Sequence, residues 1–543
     1  VDVINDDALT LPAGMTRWSI SQNDIRYDLR YGTNGLQPLG ADLTLDSLNV
    51  QQLPILGPLQ TELRTLSQDP TLGVTLGATQ TQSSVRVSIT PIGLALGLTH
   101  WLTLRATVPI VETYNVVLFN PNPHALTGNV GLNPALAFPA ALAIDTALYG
   151  QLTMASSMLQ SDLRMCQANP SSASFCGSLL SQQRAINSLI SSSNAFASAL
   201  SQVYGGGGRA PSPVVPVDSS GALNAINRRL QAFAAAYAHF DSLTGGQGIS
   251  GPGPVGAPPI GLGDMTQLLT TNLIGLGFDT LQTVNTTGIG DIEVGATALL
   301  LDSFHGNDSL RIRPTGFNYR LAATLGFRIG TGQPSSPDEL VGVGTGTGEN
   351  AVLLSANSDL LIGHHWWASL ALRTTFPLTD QVTARIPLGL GEEFAPYFTR
   401  QMVGRTLGST IDFEVDPRYT INEYFGALLQ YRIVHTGMAS YTGVFSIDSA
   451  VTGFGPVKLN ANALDAGTET TSQRWGFGLE FSNVASTLRH PRRLAVDVSY
   501  IHYQTFTGWA GAGGILPHSG GDAVQIRIYI RAFGSGSYFH PGT

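Results

Sequence analysis

Along much of the chain, apolar and polar residues alternate with period two. In Trp101–Ile110, Leu102, Leu104, Ala106, Val108 and Ile110 share one face, while Thr103, Arg105 and Thr107 share the other. The pattern returns in Asn318–Gly330, where Leu321, Ala323, Leu325, Phe327 and Ile329 alternate with Arg320, Thr324 and Arg328. Near the end, Val524, Ile526, Ile528 and Ile530 stand opposite Gln525, Arg527, Tyr529 and Arg531. Similar segments lie at about 17–31, 83–96, 288–301, 350–363, 366–377, 406–418, 424–435, 472–484 and 493–506. That makes about twelve strands, each long enough for a tilted strand to cross a bilayer with apolar residues on lipid and polar ones in a lumen. In 83–96 the apolar phase flips near Pro91–Gly93, which predicts a bulge.

The connections alternate in length. Gly97–His100, Gly363–His365 and Thr420–Glu423 are tight turns; 302–316 and 485–492 are moderate. Between them lie 32–82, 113–287, 331–349, 378–405, 436–471 and 507–521. Bacterial barrels sort short periplasmic turns from long external loops in this way, whereas a soluble sandwich has no reason to. Trp18, Tyr31, Trp101, Trp366, Trp367, Tyr424 and Tyr500 near strand ends suit the headgroup layer. The fold expected is an all-β membrane protein: an antiparallel transmembrane β-barrel of about 12 strands with a large, mainly α-helical extracellular insertion.

Composition changes the picture little. Charged residues are only 12% of the 543, and no apolar run approaches the roughly 20 residues of a membrane helix. The formal net charge of −9 argues against nucleic acid as a partner. The start at Val1, without Met or signal peptide, fits a processed, exported protein.

Three stretches carry a resemblance. They are Gly97-Leu-Thr-His-Trp-Leu-Thr-Leu-Arg-Ala-Thr-Val-Pro109, Gly288-Ile-Gly-Asp-Ile-Glu-Val-Gly-Ala296 with Leu300-Leu-Asp302, and Leu325-Gly-Phe-Arg-Ile-Gly-Thr-Gly332 with Pro337-Asp-Glu-Leu340 and Gly344-Thr-Gly346. Together they resemble outer-membrane barrel transporters of the phenol meta-pathway type, a FadL-related channel group. The family often has proline where Gly330 stands, and the insertion 113–287 is not part of the resemblance. The resemblance implies a channel for small hydrophobic or aromatic molecules in the bacterial outer membrane, without a cofactor.

Residues 113–287 separate two blocks of barrel strands, 1–112 and 288–543. Helical spacing runs through Ala185–Tyr204 and Ala222–Leu243, with Gly205–Gly208 and Gly245–Gly263 as linkers. Cys166 and Cys176 read as a local disulfide, since two thiols without a nearby His make a poor metal site. The insertion is expected to be a cap, a plug, or a docking surface for a partner or a second copy.

The lumen face follows from the alternation. Its positive candidates are Arg26, Arg30, Arg86, Arg105, Arg320, Arg328, Arg373, Arg432, Arg474, Arg527 and Arg531. Negative candidates are Asp24, Asp28, Asp291, Glu293, Asp359, Asp412, Glu414, Asp416, Glu480 and Asp497. Such charges require either a water-filled channel between walls of opposite sign or arginine–carboxylate ladders across the interior. No Gly-x-Ser-x-Gly elbow, His-Glu-x-x-His or phosphate loop points to an enzyme. Asp302, Asn307 and Asp308 form a turn better read as solvated than as a calcium site. The alternative to a channel is a sealed barrel that anchors the helical segment.

Overall fold

A computed structural model describes residues 7–32, 35–123, 127–246, 248–303, 316–363, 365–389, 392–452, 455–484, 494–511, 514 and 516–532. Twelve antiparallel strands close into a barrel. They are β1 (Met15–Gly32), β2 (Thr79–Gly97), β3 (Leu102–Pro121), β4 (Val284–Ile289 and Ile292–Asp302), β5 (Phe317–Ile329) and β6 (Ala351–Ile362). The rest are β7 (Trp366–Pro377), β8 (Thr410–Thr420), β9 (Phe425–Thr436), β10 (Thr470–Ser482), β11 (Ala495–Ala510) and β12 (Leu516–Arg531). Each pairs with its chain neighbours, and β12 pairs with β1 from Met15↔Arg531 to Tyr31↔Leu516, which leaves no free edge.

Alternation decides what each face meets. Along β3, Leu104 and Ile110 are exposed outward while Thr103, Val111, Thr113 and Asn115 are buried inward. Leu325, Leu372, Phe413, Leu429 and Leu479 extend the same outward apolar belt around the wall. Trp18, Trp101 and Trp366 are exposed at its short-turn end, where amphipathic rings favour the membrane interface.

Two sequence expectations change. The register of β2 against β3 is continuous from Thr79↔Pro121 to Gly97↔Thr103, so there is no bulge at Pro91–Gly93. The apolar phase flips there because the outward residues turn polar at Thr90, Ser88 and Arg86 while Val85, Val87 and Ile89 face inward. The 507–521 connection is also not long: β11 and β12 run to Ala510 and from Leu516. The turn with Asn307 and Asp308 lies outside the described residues, and Asp302 sits 3.7 Å from the Arg320 guanidinium.

The helical segment forms one apolar core above the long-loop end. Its helices are α2 (Pro139–Ala168), α3 (Cys176–Ser181), α4 (Gln183–Tyr204), α5 (Gly221–Thr244) and α6 (Leu262–Thr270). Leu223, Ile226, Leu230, Phe233, Tyr237 and Phe240 line one face of α5 at helical spacing. Ser220 caps its start through the Leu223 amide, and Gly245 ends it with φ 75°. Helix α1 (Gly57–Ser67), from the β1–β2 loop, buries Leu59, Leu63 and Leu66 in this same core. The expected division at residue 113 therefore crosses a single packing unit. Gly205–Gly208 all take positive φ, and a Cβ at Gly207 would meet the Tyr149 hydroxyl at 2.7 Å. Cys166 and Cys176 are joined, with Cα atoms 5.1 Å apart, tying α2 to α3.

Candidate permeation path

The inner wall is built from alternate residues of neighbouring strands, so its charges meet across one hydrogen-bonded row or the next. Arg373 on β7 reaches Asp412 at 3.1 Å and Glu414 at 2.9 Å on β8. Arg432 on β9 donates to Asp412 from the other side, through Nε at 2.8 Å. Arg328 holds Glu293 at 2.7 Å, Arg418 holds Glu480 at 2.9 Å, and Arg320 lies 3.6 Å from Asp359. Asp497 accepts from Tyr529 at 2.6 Å, and Arg474 donates to Gln430 at 3.1 Å while lying over the Tyr503 ring. Asp416 is buried inward one alternate position beyond Glu414, and Arg531 faces inward opposite Met15. Asp412 and Glu414 of the acidic run on β8 are thus paired with arginines of the flanking strands.

Six candidates have other positions. Arg26 and Arg86 point outward, as do Asp24 and Asp28, and Arg86 pairs with Asp24 at 3.3 Å on the outer surface. The parity that sends Trp18 and Ile20 outward continues to Asp24 and Arg26, so polarity changes along the strand while the face does not. Arg30 is buried at the long-loop end, beyond a register shift at Arg26/Leu29, and pairs with Asp42 of the first loop. Asp291 is a strut: it accepts from the Gly332, Thr347 and Gly348 amides at 2.9, 2.8 and 3.2 Å, pinning the 331–348 loop.

That loop folds against the inner wall, where Thr113 and Asn115 donate to the Val343 and Val341 carbonyls at 3.1 and 2.6 Å. Arg385 joins it to the cap. Its guanidinium binds Asp338 at 2.7 Å, the Leu276, Gly277 and Ala395 carbonyls, and lies 3.8 Å over the Phe278 ring. At the opposite mouth the segment preceding β1 turns inward. The Ala8 amide donates to Asp359 at 3.1 Å, Leu11 to Thr103 at 2.8 Å, and Asp7 meets Arg527 at 3.1 Å.

Between these ends lies a cavity of about 270 Å³ walled by residues of β3 to β9, among them Arg105, Arg328, Arg373, Arg432, Leu353 and Val434. A second space of about 30 Å³ lies beside the inward-turned segment, lined by Asp7, Arg17 and Arg527, and Arg105 borders both. Arg17, Arg418, Gln430 and Tyr503 belong to this wall although the sequence reading passed over them. Parity with Ser19, Asp416, Arg432 and Ile501 would have found each. Asp7 carried no such signal, since it lies outside any strand.

No protein-family model matches the chain, and no curated protein does. Among solved structures it is similar to an outer-membrane channel from Pseudomonas putida F1, with 9% identity and a TM-score of 0.41 over 97% of this chain and 100% of that one. A FadL homologue from Pseudomonas aeruginosa gives 7% and 0.24 over 96% and 90%. The transport unit of the autotransporter AIDA-I from Escherichia coli gives 6% and 0.29 over 98% and 91%. These likenesses are too distant to carry an argument about this chain, and the barrel stands on its own strand pairing.

Proposed function

We propose that the protein is a channel for small solutes in the bacterial outer membrane, with the helical cap on the extracellular side. The observation that carries this is the cavity of about 270 Å³ inside the closed barrel, lined by side chains of consecutive strands. A barrel kept only as an anchor has no use for a cavity among paired charges. The inner wall is mixed. Ile25, Tyr27, Val87 and Ile89 face inward, half-buried, on β1 and β2, and the ion-paired groups stand on β4 to β9. An apolar or aromatic body could rest on the first and a polar group on the second, which suits the solute class that the resemblance implies.

A second reading keeps the barrel sealed as a mount for the cap. It draws on the inward-folded 331–348 loop and the segment from Asp7 to Leu11, which occupy the two ends. Single-channel recording in planar bilayers separates the two. Discrete conductance steps from the purified protein support the channel, and silence across repeated insertions overturns it.

A further inference from the structure

The chain as a whole is acidic, with a formal charge of −9. Its interior path is not. Among the described residues, six arginines border the two lumen spaces against three carboxylates, Asp7, Glu293 and Asp412. Glu414, which bridges Arg373 and Arg432 just behind the cavity surface, still leaves the arginines two in excess.

One of these arginines differs from the rest. Among the described residues, Arg105 is the only arginine to border both spaces, and it makes no ion pair and no side-chain hydrogen bond with them. Arg328, Arg373 and Arg432 are each held by a carboxylate. A half-buried guanidinium without a counter-charge attracts one from whatever fills the space around it. Rings of arginine or lysine are also how pores favour anions over cations. The same cavity is lined by Leu353 and Val434, which supply apolar surface, and by Thr107, two residues along β3 from Arg105, which supplies a hydroxyl.

We infer that the lumen selects small anions, that Arg105 is its selectivity residue, and that the solute class is a small organic carboxylate with an apolar body. This rests on the channel reading above and sharpens it. The carboxylate meets the Arg105 fork, which is matched to it in geometry, while the apolar body lies against Leu353 and Val434. Glu293 and Asp412 stay occupied by their own arginines, so they repel the solute less than free carboxylates would.

Reversal potentials in a potassium chloride gradient test the inference, with benzoate added as the probe carboxylate. The intact protein should pass chloride in preference to potassium, and benzoate should reduce the chloride current in a saturable way. A unit charge about 5 Å from a passing ion in water changes its occupancy about fourfold, so Arg105→Gln should lower the anion preference by about that factor and weaken the benzoate block. Arg105→Lys should restore the preference and not the block, because a point charge lacks the planar fork. Since Arg105 supports no partner, both variants should retain the heat-modifiable gel migration of a folded barrel. Cation-selective steps, or an unchanged preference in Arg105→Gln, overturn the inference and leave the channel standing. Silence in every form overturns the channel and the inference together.

Discussion

The barrel interior and the cap core are both buried, yet they are held by opposite means. Inside the barrel, Arg373, Arg432, Asp412 and Glu414 form a four-membered ion-paired cluster on three strands. In the cap, Leu63, Leu152, Leu200, Ile226 and Phe196 are fully buried among one another, with few polar groups between them. The difference follows from the two periodicities. A strand sends alternate residues to lipid, so its polar half must find partners inward; a helix can turn a whole apolar stripe to one side and leave its polar residues in water. The two regions should therefore respond to different perturbations.

Phe196→Ala should have the largest effect, on the order of 3–5 kcal/mol, all of it in the cap. Limited proteolysis should then cut within α2 to α5 while the barrel keeps its heat-modifiable migration; joint loss would show that the two regions unfold as one. Glu414→Ala should cost about 3 kcal/mol, in the barrel, because two arginines lose a buried partner. Urea unfolding from lipid vesicles should show it with cap proteolysis unchanged. A cost well below that would mean that water in the cavity solvates the arginines.

The third test uses pH. Asp145 on α2 is fully buried, accepts among the described residues only from the Val255 amide at 2.9 Å, and burial pushes its carboxyl up to about 6. The folded cap thus keeps a proton that the unfolded chain has already released near pH 4. Cap stability should fall as pH rises from about 4 to about 6, by about 2 kcal/mol, and stay level above that window. Asp145→Asn, which retains the acceptor oxygen, should flatten the profile in helical circular dichroism during thermal unfolding. The smallest effect should come from Arg86→Ala, below about 1 kcal/mol, because its pair with Asp24 is exposed on the outer wall. A large loss there would mean that this face is covered by something in the membrane.

Much of the barrel was legible in the sequence because period-two alternation fixes both strand and face. Arg320, Thr324 and Arg328 face inward for the reason their spacing announced. The alternation was silent on depth. Beyond Ile20 and Ile92 the outer wall becomes polar, and a rule that equates polar with inward misplaces Arg26 and Arg86. Pair identity was equally hidden, since Arg373 meets Asp412 only through a register that closes across β7 and β8. Helix α1 was missed because its eleven residues lie in a loop whose partners are a hundred or more positions further along the chain. Asp7 reaches Arg527 only because the barrel brings β1 and β12 together.

The shared core of α1 with α2, α4 and α5 has a mechanical consequence. A lid that swings needs one hinge and a free rim. This cap is entered and left at four strand ends, after Gly32 and Pro121 and before Thr79 and Val284, and Arg385 bolts its tail to the 331–348 loop. Lifting any side would strain the other attachments at once. The cap behaves as a lintel set across that end of the barrel, and a solute using the proposed channel would pass between its supports.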